Sequence, residues 1–159
     1  MSSDSNSSWL ELERAHAGFL EQLRVFLSGD KEEKTEFLQE RYRANPRLVI
    51  DVLEQLNPED LKELLPFLVE HTRSVHGHLQ TLRRLFSLLP KRWLVENVEA
   101  TVEPWLQTGD DEYYRRFLEL YYSIDRQLTR RLAERAVASN NPDVRDAGTD
   151  FLKKLEEDQ

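Results

Sequence analysis

The sequence contains an internal repeat. A segment that begins at Ser28-Gly29-Asp30 is matched by one that begins at Thr108-Gly109-Asp110, at an offset of 80 residues. The identities that follow at this offset are Glu32 with Glu112, Phe37-Leu38 with Phe117-Leu118, Tyr42 with Tyr122, and Leu48 with Leu128. After four extra residues, Asn57-Pro58 is matched by Asn141-Pro142 and Phe67-Leu68 by Phe151-Leu152. A repeat of this kind is typical of stacked helical units, each of which buries its apolar face against a neighbour.

The composition favours an all-α protein. Only 5 of the 159 residues are glycine, and Leu, Glu and Arg, all good helix formers, dominate. The absence of cysteine excludes disulfides, thiolate metal sites and a cysteine nucleophile. No apolar run approaches the roughly 18 residues of a membrane span, and residues 1–8 lack the basic and apolar regions of a signal peptide. We therefore expect a cytoplasmic protein.

Turn and cap residues divide the chain into helices. Ser8 is predicted to cap the first helix, and Asp30 to cap the second after a left-handed Gly29. Three later starts are marked by an asparagine followed by proline, at Asn45, Asn57 and Asn141. Pro66 lies inside the helix that starts at Pro58 and is expected to kink or break it.

The helices are expected to pack as an α-solenoid. Apolar residues recur at three- and four-residue steps in the first helix, from Trp9 to Leu27, and place Phe37 and Leu48 on inward faces further on. The helix pairs recur about every 40 residues, the period of solenoids built from helix pairs. We predict an all-α, right-handed α-solenoid of about nine helices in antiparallel pairs, with a disordered tail over residues 1–7 and a single repeat domain over residues 8–157.

The last repeat carries a family resemblance. Asn141-Pro142-Asp143-Val144-Arg145-Asp146-Ala147, followed by Leu152, resembles the second helix of a HEAT repeat. The resemblance implies a HEAT-like or armadillo-type fold with a curved binding surface, in which Val144 and Leu152 enter the core. It also implies that Asp143 and Arg145 bond across to neighbouring repeats. Gly148 stands where the family usually has alanine, which weakens the helix by about 1 kcal/mol or permits closer packing.

An arginine-rich face with adjacent tyrosines is the candidate partner-binding site. Its residues are Arg115, Arg116, Arg126, Arg130, Arg131, Tyr113 and Tyr122, and Arg135 and Arg145 lie nearby. Arg126 and Arg130 are one turn apart, which is unfavourable unless an anionic group answers them. An acidic segment of a partner protein would do so, and tyrosine is enriched at binding hot spots. The alternative is that Glu119, Glu134, Asp143 and Asp146 pair with the arginines inside the chain.

No catalytic or cofactor motif accompanies this face. His71, His76 and His78 are close in sequence, but their spacing does not match a metal-ligand pattern, so no metal or cofactor is predicted. A net charge of −8 opposes general nucleic-acid binding. We predict a non-catalytic protein–protein interaction scaffold. The alternatives are an enzyme or a lyase- or chaperone-type subunit on the same scaffold, with an acid such as Asp125 or Asp146, and nucleic-acid binding by the local arginine face.

Overall fold

The computed structural model describes the backbone of residues 2–158 and the side chains of residues 6–158. Over these residues the chain forms ten α-helices, one 3-10 helix and no strand, so the prediction of an all-α protein is confirmed. The chain divides into two compact units, Met1–Leu56 and Asn57–Gln159, which we call unit 1 and unit 2. The single domain over residues 8–157 stays a prediction.

Unit 1 contains three helices. They are α1 (Ser2–Leu27), α2 (Lys31–Tyr42) and α3 (Pro46–Leu53). The prediction that Ser8 caps the first helix is wrong, because α1 already begins at Ser2. Residues 2–7, which the sequence assigns to a tail, thus belong to α1, and Met1 lies outside the described residues.

The turn between α1 and α2 ends one helix and starts the next. Asp30 caps α2 as predicted, since its Oδ1 accepts from the backbone N–H groups of Glu32 and Glu33 at 2.9 and 3.1 Å. The left-handed conformation predicted for Gly29 is wrong; in the described residues Gly109 alone has a positive φ, of 71°. The Gly29 N–H instead bonds to the Phe26 carbonyl at 3.1 Å, a tight turn that needs no positive φ.

Unit 2 contains seven α-helices and the 3-10 helix. They are α4 (Pro58–Glu63), α5 (Leu65–Thr72), α6 (Leu79–Leu85), the 3-10 helix (Phe86–Leu88), α7 (Lys91–Leu106), α8 (Asp111–Ile124), α9 (Arg126–Val137) and α10 (Pro142–Glu157). The predicted break near Pro66 is confirmed, since α4 ends at Glu63 and α5 begins at Leu65 with Pro66 in its first turn. This break raises the count from about nine helices to ten within the described residues. None of the described helices has the length and apolarity needed to cross a membrane.

The three Asn-Pro starts are confirmed as capped helix ends. The Asn45, Asn57 and Asn141 side chains accept from backbone N–H groups at 3.2, 2.9 and 3.0 Å, and proline follows each at the first helical position. Each cap satisfies a donor that the first turn would otherwise leave unpaired. Asp110 caps α8 in the same way.

The last two helices form the most closely packed pair of unit 2. Arg126, at the start of α9, bonds to the Leu155 carbonyl near the end of α10, so the two helices run antiparallel. A Cβ added to Gly148 would lie only 2.6 Å from the Ala133 carbonyl oxygen, which bears out the closer packing expected at this glycine. Val144 is fully buried as the resemblance implies, whereas Leu152 is half-buried.

Candidate protein-interaction site

The apolar stripe of α1 is exposed. Every residue from Asn6 to Gln22 is exposed, and Leu23, Phe26 and Leu27 are half-buried. The large apolar side chains of α1 that stand in solvent are Trp9 (59% exposed), Leu10, Leu12 (58%), Phe19, Leu20 and Val25. Of these, Trp9, Leu12, Phe19 and Leu20 lie on one face at about 100° per residue, whereas Leu10 and Val25 lie off it. Single exposed apolar residues are ordinary, but several on one face mark an interaction surface. The stripe was visible in the sequence, whereas its exposure was not.

The last turn of α1 is anchored to α2. The Lys34 ammonium donates to the Leu27 carbonyl at 2.8 Å, and the Lys34 side chain is itself buried. This cation satisfies a free carbonyl at the negative end of the helix dipole. The Phe26 and Phe37 rings meet with centroids 5.9 Å apart. The C-terminal end of α1 is therefore held in place while its apolar stripe remains in solvent.

An open apolar groove of about 500 Å³ lies between the C-terminal half of α1, α2 and α3. Its lining residues are Phe19, Gln22, Leu23, Phe26, Phe37, Leu38, Arg41, Ala44, Asn45, Leu48, Val49 and Val52. Leu38 and Val49 form a buried floor. The prediction that Phe37 lies inward is wrong, because it is 44% exposed on this groove. Leu48, predicted on the apolar face of α3, is also 44% exposed there. Helical periodicity predicts an apolar face correctly but does not show whether the chain covers it.

The groove carries a single kind of charge. Among its lining residues Arg41 alone is charged, and its guanidinium carbon lies 5.0 Å from the centroid of the Phe37 ring. A guanidinium over an aromatic face is held by the negative charge density of the ring. The Arg41 side chain is exposed, so an incoming carboxylate can reach it. The groove thus combines an apolar floor with one positioned cation.

The predicted arginine face is largely engaged within unit 2. Arg131 makes two hydrogen bonds to Glu99, at 3.1 and 2.8 Å, and Arg135 makes two to Glu103, at 2.6 and 3.0 Å. These bonds link α9 to α7. Hydrogen bonding to Arg135 lowers the pKa of the Glu103 carboxyl, and hydrogen bonding to Glu99 raises the pKa of Arg131. Both fork-shaped pairs are partly exposed, so each contributes modestly to stability.

Two further arginines bond to backbone carbonyls. Arg126 donates to the carbonyls of Leu155 and Asp158 at 2.7 and 3.3 Å, where the end of α10 leaves acceptors free. Arg145 donates to the carbonyls of Ser139 and Asn140, both at 3.0 Å, in the turn before its own helix. The cross-repeat bonds implied for Arg145 are therefore not seen, because its own turn offers nearer acceptors. Asp143 makes no ion pair with any described residue.

The remaining predicted arginines differ in their surroundings. Arg115 pairs with Asp150 at 3.3 Å, and Arg116 with Glu119 at 2.9 Å. Arg130 is exposed and has no hydrogen-bond or ion-pair partner in the described part of the chain. Of the four acids expected as intramolecular partners, only Glu119 takes this role. Glu134, Asp143 and Asp146 form no ion pair with these arginines, which instead bond Glu99, Glu103, Asp150 and backbone carbonyls.

The two predicted tyrosines pack against neighbours in unit 2. The Tyr113 ring meets Trp105 edge to face with centroids 6.1 Å apart, and the Arg73 guanidinium carbon lies 4.1 Å from the Trp105 centroid. Tyr122 donates its hydroxyl to the Asp158 carboxylate, and its ring meets Phe151 at 5.9 Å. Partner binding at this arginine and tyrosine set stays a prediction.

The three clustered histidines lie between the last turn of α5, which contains His71, and the start of α6, where His78 is the N-cap residue. The His76 Nε2 is 2.5 Å from the His71 carbonyl oxygen, and the His76 and His78 rings have centroids 6.4 Å apart. Over the residues whose side chains are described, no three His, Cys, Asp or Glu side chains come together as potential metal ligands.

Comparison of the chain with protein-family models, with curated proteins and with solved structures gave no significant match. The resemblance to HEAT repeats therefore stays a prediction from the residues of α10.

Proposed function

We propose that this protein is a non-catalytic protein–protein interaction module, and that unit 1 binds an amphipathic helix of a partner protein. The exposed apolar stripe of α1, continuous with the groove between α1, α2 and α3, is the observation that carries the proposal. From Trp9 to Phe26 the stripe extends over about 25 Å at 1.5 Å per residue. This length accommodates about five turns of a partner helix with apolar residues at three- and four-residue steps.

The charge of the groove defines the partner further. Arg41 is its one charged lining residue, so the partner helix carries an acidic side chain beside its apolar face. Apolar contacts would supply most of the affinity, and the arginine–carboxylate pair would set the register of the helix. An acidic partner agrees with the expectation from the sequence, but the contact lies at Arg41 rather than on the arginine face of unit 2.

The proposal also includes the arrangement of the helices and the location of the protein in the cell. We propose that the helix pairs stack as a right-handed, HEAT-like solenoid, supported by the repeated Asn-Pro caps and by the antiparallel α9–α10 pair. We also propose a cytoplasmic location, in keeping with the absence of cysteine.

Site-specific photo-crosslinking tests the partner and its position. The variant Phe37→p-benzoylphenylalanine adds a benzoyl group to a side chain that is exposed on the groove, and irradiation in whole-cell extract captures what occupies the groove. The same ketone at Val75, an exposed residue of unit 2, serves as the control. We expect an adduct with one protein at position 37 only, and its crosslinked peptide should be an amphipathic helix with an acidic residue.

Charge reversal separates specific docking from nonspecific apolar contact. Arg41→Glu should reduce the adduct at position 37 at least about tenfold, since it places like charges together. Arg43→Glu makes the same change two residues away, at an exposed position outside the groove, and should leave the adduct unchanged. Adducts formed only with a second copy of this chain, or equal loss in both variants, would overturn the proposed occupant.

A further inference from the structure

A second concave site lies in unit 2, and Arg116 of the predicted arginine face borders it through its bond to Glu119. It is a cavity of about 580 Å³ between α6, the 3-10 helix, α7 and α8. Its lining residues are Gln80, Arg83, Arg84, Phe86, Ser87, Leu89, Lys91, Leu94, Glu119, Ser123 and Ile124. This volume is within the usual range of small-molecule sites. The lining joins three cationic side chains and one carboxylate to an apolar floor.

Two arginines at this cavity share one carboxylate. The Glu119 Oε2 lies 2.6 Å from Arg83 Nη2 and 2.9 Å from Arg116 Nη1. The Arg83 and Arg116 side chains are only 12% and 19% exposed, and the Nε atom of each is buried without an acceptor. One negative charge therefore faces two guanidinium groups in a partly desolvated place. Such an excess of buried positive charge is costly unless another anion approaches.

Two further cations stand at the mouth of the cavity. Arg84 is exposed and has no ion-pair partner among the described residues. Lys91 reaches Asp125 only at 3.8 Å, and Asp125 already accepts the N-cap hydrogen bonds of α9. The Lys91 side chain is 71% exposed, so it can turn toward a ligand. The positive charge of the site is thus left incompletely neutralised by the chain.

The floor of the cavity is apolar. Phe86, Leu89 and Leu94 are the apolar lining residues shared by the 3-10 helix, the turn that follows it and α7, and each is buried. An apolar surface with a few convergent polar groups is the usual composition of a site for a small organic ligand. Arginine forks match the oxygen pairs of carboxylate and phosphate groups. The ligand chemistry that fits both parts is an oxyanion attached to a compact apolar body.

We propose that this cavity binds a small organic anion. Its carboxylate or phosphate group lies between Arg83, Arg84 and Lys91, and its apolar body lies over Phe86 and Leu94. This site is separate from the groove of unit 1, so each proposal can fail without the other.

NMR titration of the full ¹⁵N-labelled chain tests the site with defined probes. Phenyl phosphate and phenylacetate carry the two candidate oxyanions on the same ring, benzyl alcohol lacks the charge, and inorganic phosphate lacks the ring. We expect at least one of the two aromatic anions to saturate shifts of backbone signals around residues 80–94. Benzyl alcohol and inorganic phosphate should each bind at least about tenfold more weakly. Equal binding of either one, or no saturable shift with either aromatic anion, would overturn the proposal.

Matched charge variants locate the binding. Arg84→Gln and Lys91→Gln each remove an exposed cation of the rim, and each should weaken the bound anion about tenfold, equivalent to about 1.4 kcal/mol. Arg92→Gln removes the same charge from the same turn of α7, at a side chain that is 93% exposed and outside the cavity. It should leave the affinity unchanged. An equal loss in Arg92→Gln would mean that the anion responds only to net charge.

Discussion

The contact between α9 and α10 makes a specific prediction for Gly148→Ala. A Cβ at this position would lie 2.6 Å from the Ala133 carbonyl oxygen, 2.8 Å from the Ala136 Cβ and 2.8 Å from the Val137 nitrogen. Two of these atoms are backbone and the third is a methyl carbon fixed to it, so no rotation of a side chain can relieve the contact. The helices would have to separate by roughly 1 Å to restore ordinary distances of about 3.5 Å or more.

The expected change in stability is the balance of two terms. Replacing glycine by alanine inside a helix favours the folded state by about 1 kcal/mol through propensity. Overpacking a closely packed contact costs typically about 1–3 kcal/mol. Because the contact is with backbone, we take the upper part of that range and expect a net loss of roughly 1–2 kcal/mol in the free energy of unfolding of unit 2. For a unit of this size the melting temperature should fall by on the order of 5–10 °C.

Urea unfolding followed by tryptophan fluorescence measures this loss. In a Trp9→Phe background the emission comes from Trp93 and Trp105, both in unit 2. Gly18→Ala is the matched control, since a Cβ at this helical position of α1 meets no atom within 4 Å. It should leave the transition of unit 2 unchanged and should not lower the far-UV helix signal. If Gly148→Ala is as stable as its parent, the close approach of the two helices is refuted.

Three further substitutions test single contacts. Hydrogen bonding to Arg135 lowers the pKa of Glu103 below its usual 4.5. The contribution of this carboxylate to the free energy of unfolding is therefore present at neutral pH, and it is lost as the pH falls through the folded-state pKa, below 4.5. Glu103→Gln should therefore cost about 0.2–1 kcal/mol at pH 7 and less at pH 3 in urea unfolding, and an equal cost at both would contradict the pairing. Asp110→Ala removes the N-cap of α8 and should cost about 1 kcal/mol in thermal unfolding, whereas Asp111→Ala, one residue on, should cost little. Lys34→Met should release the last turn of α1 and speed amide hydrogen exchange there about tenfold, and unchanged exchange would show that this anchor is dispensable.

Local features of the fold followed from the sequence because their causes are local. An Asn or Asp cap and the N–H group that it satisfies are two or three residues apart. The presence of Asn57 and Asn141 in the sequence is therefore enough to predict the helix starts that they cap. Pro66 breaks its helix because the ring removes a donor and crowds the preceding turn. The prediction of a left-handed Gly29 was wrong because a helix can also end in a 3-10 turn, and the sequence does not distinguish the two endings.

The partners of the arginines could not be predicted in the same way. Arg131 and Glu99 are 32 residues apart in sequence and meet only because α9 packs beside α7. A cluster of arginines predicts a charged face, but the acid that pairs with each arginine depends on which helix packs beside it. The cavity at Arg83 was missed for this reason, since its cations come from α6 and α7 and its carboxylate from α8, and no short motif joins them.

By itself, the sequence determined the helical class, the helix starts capped by Asn and Asp, and the apolar face of each helix, because propensity and periodicity act within a few turns. Only the tertiary structure decided which of those faces are covered. Phe117 and Leu128 are buried in unit 2, whereas Phe37 and Leu48, their counterparts in the internal repeat, remain open on the groove. An apolar face is buried only where side chains of another helix pack against it, and that packing joins segments that are distant in sequence.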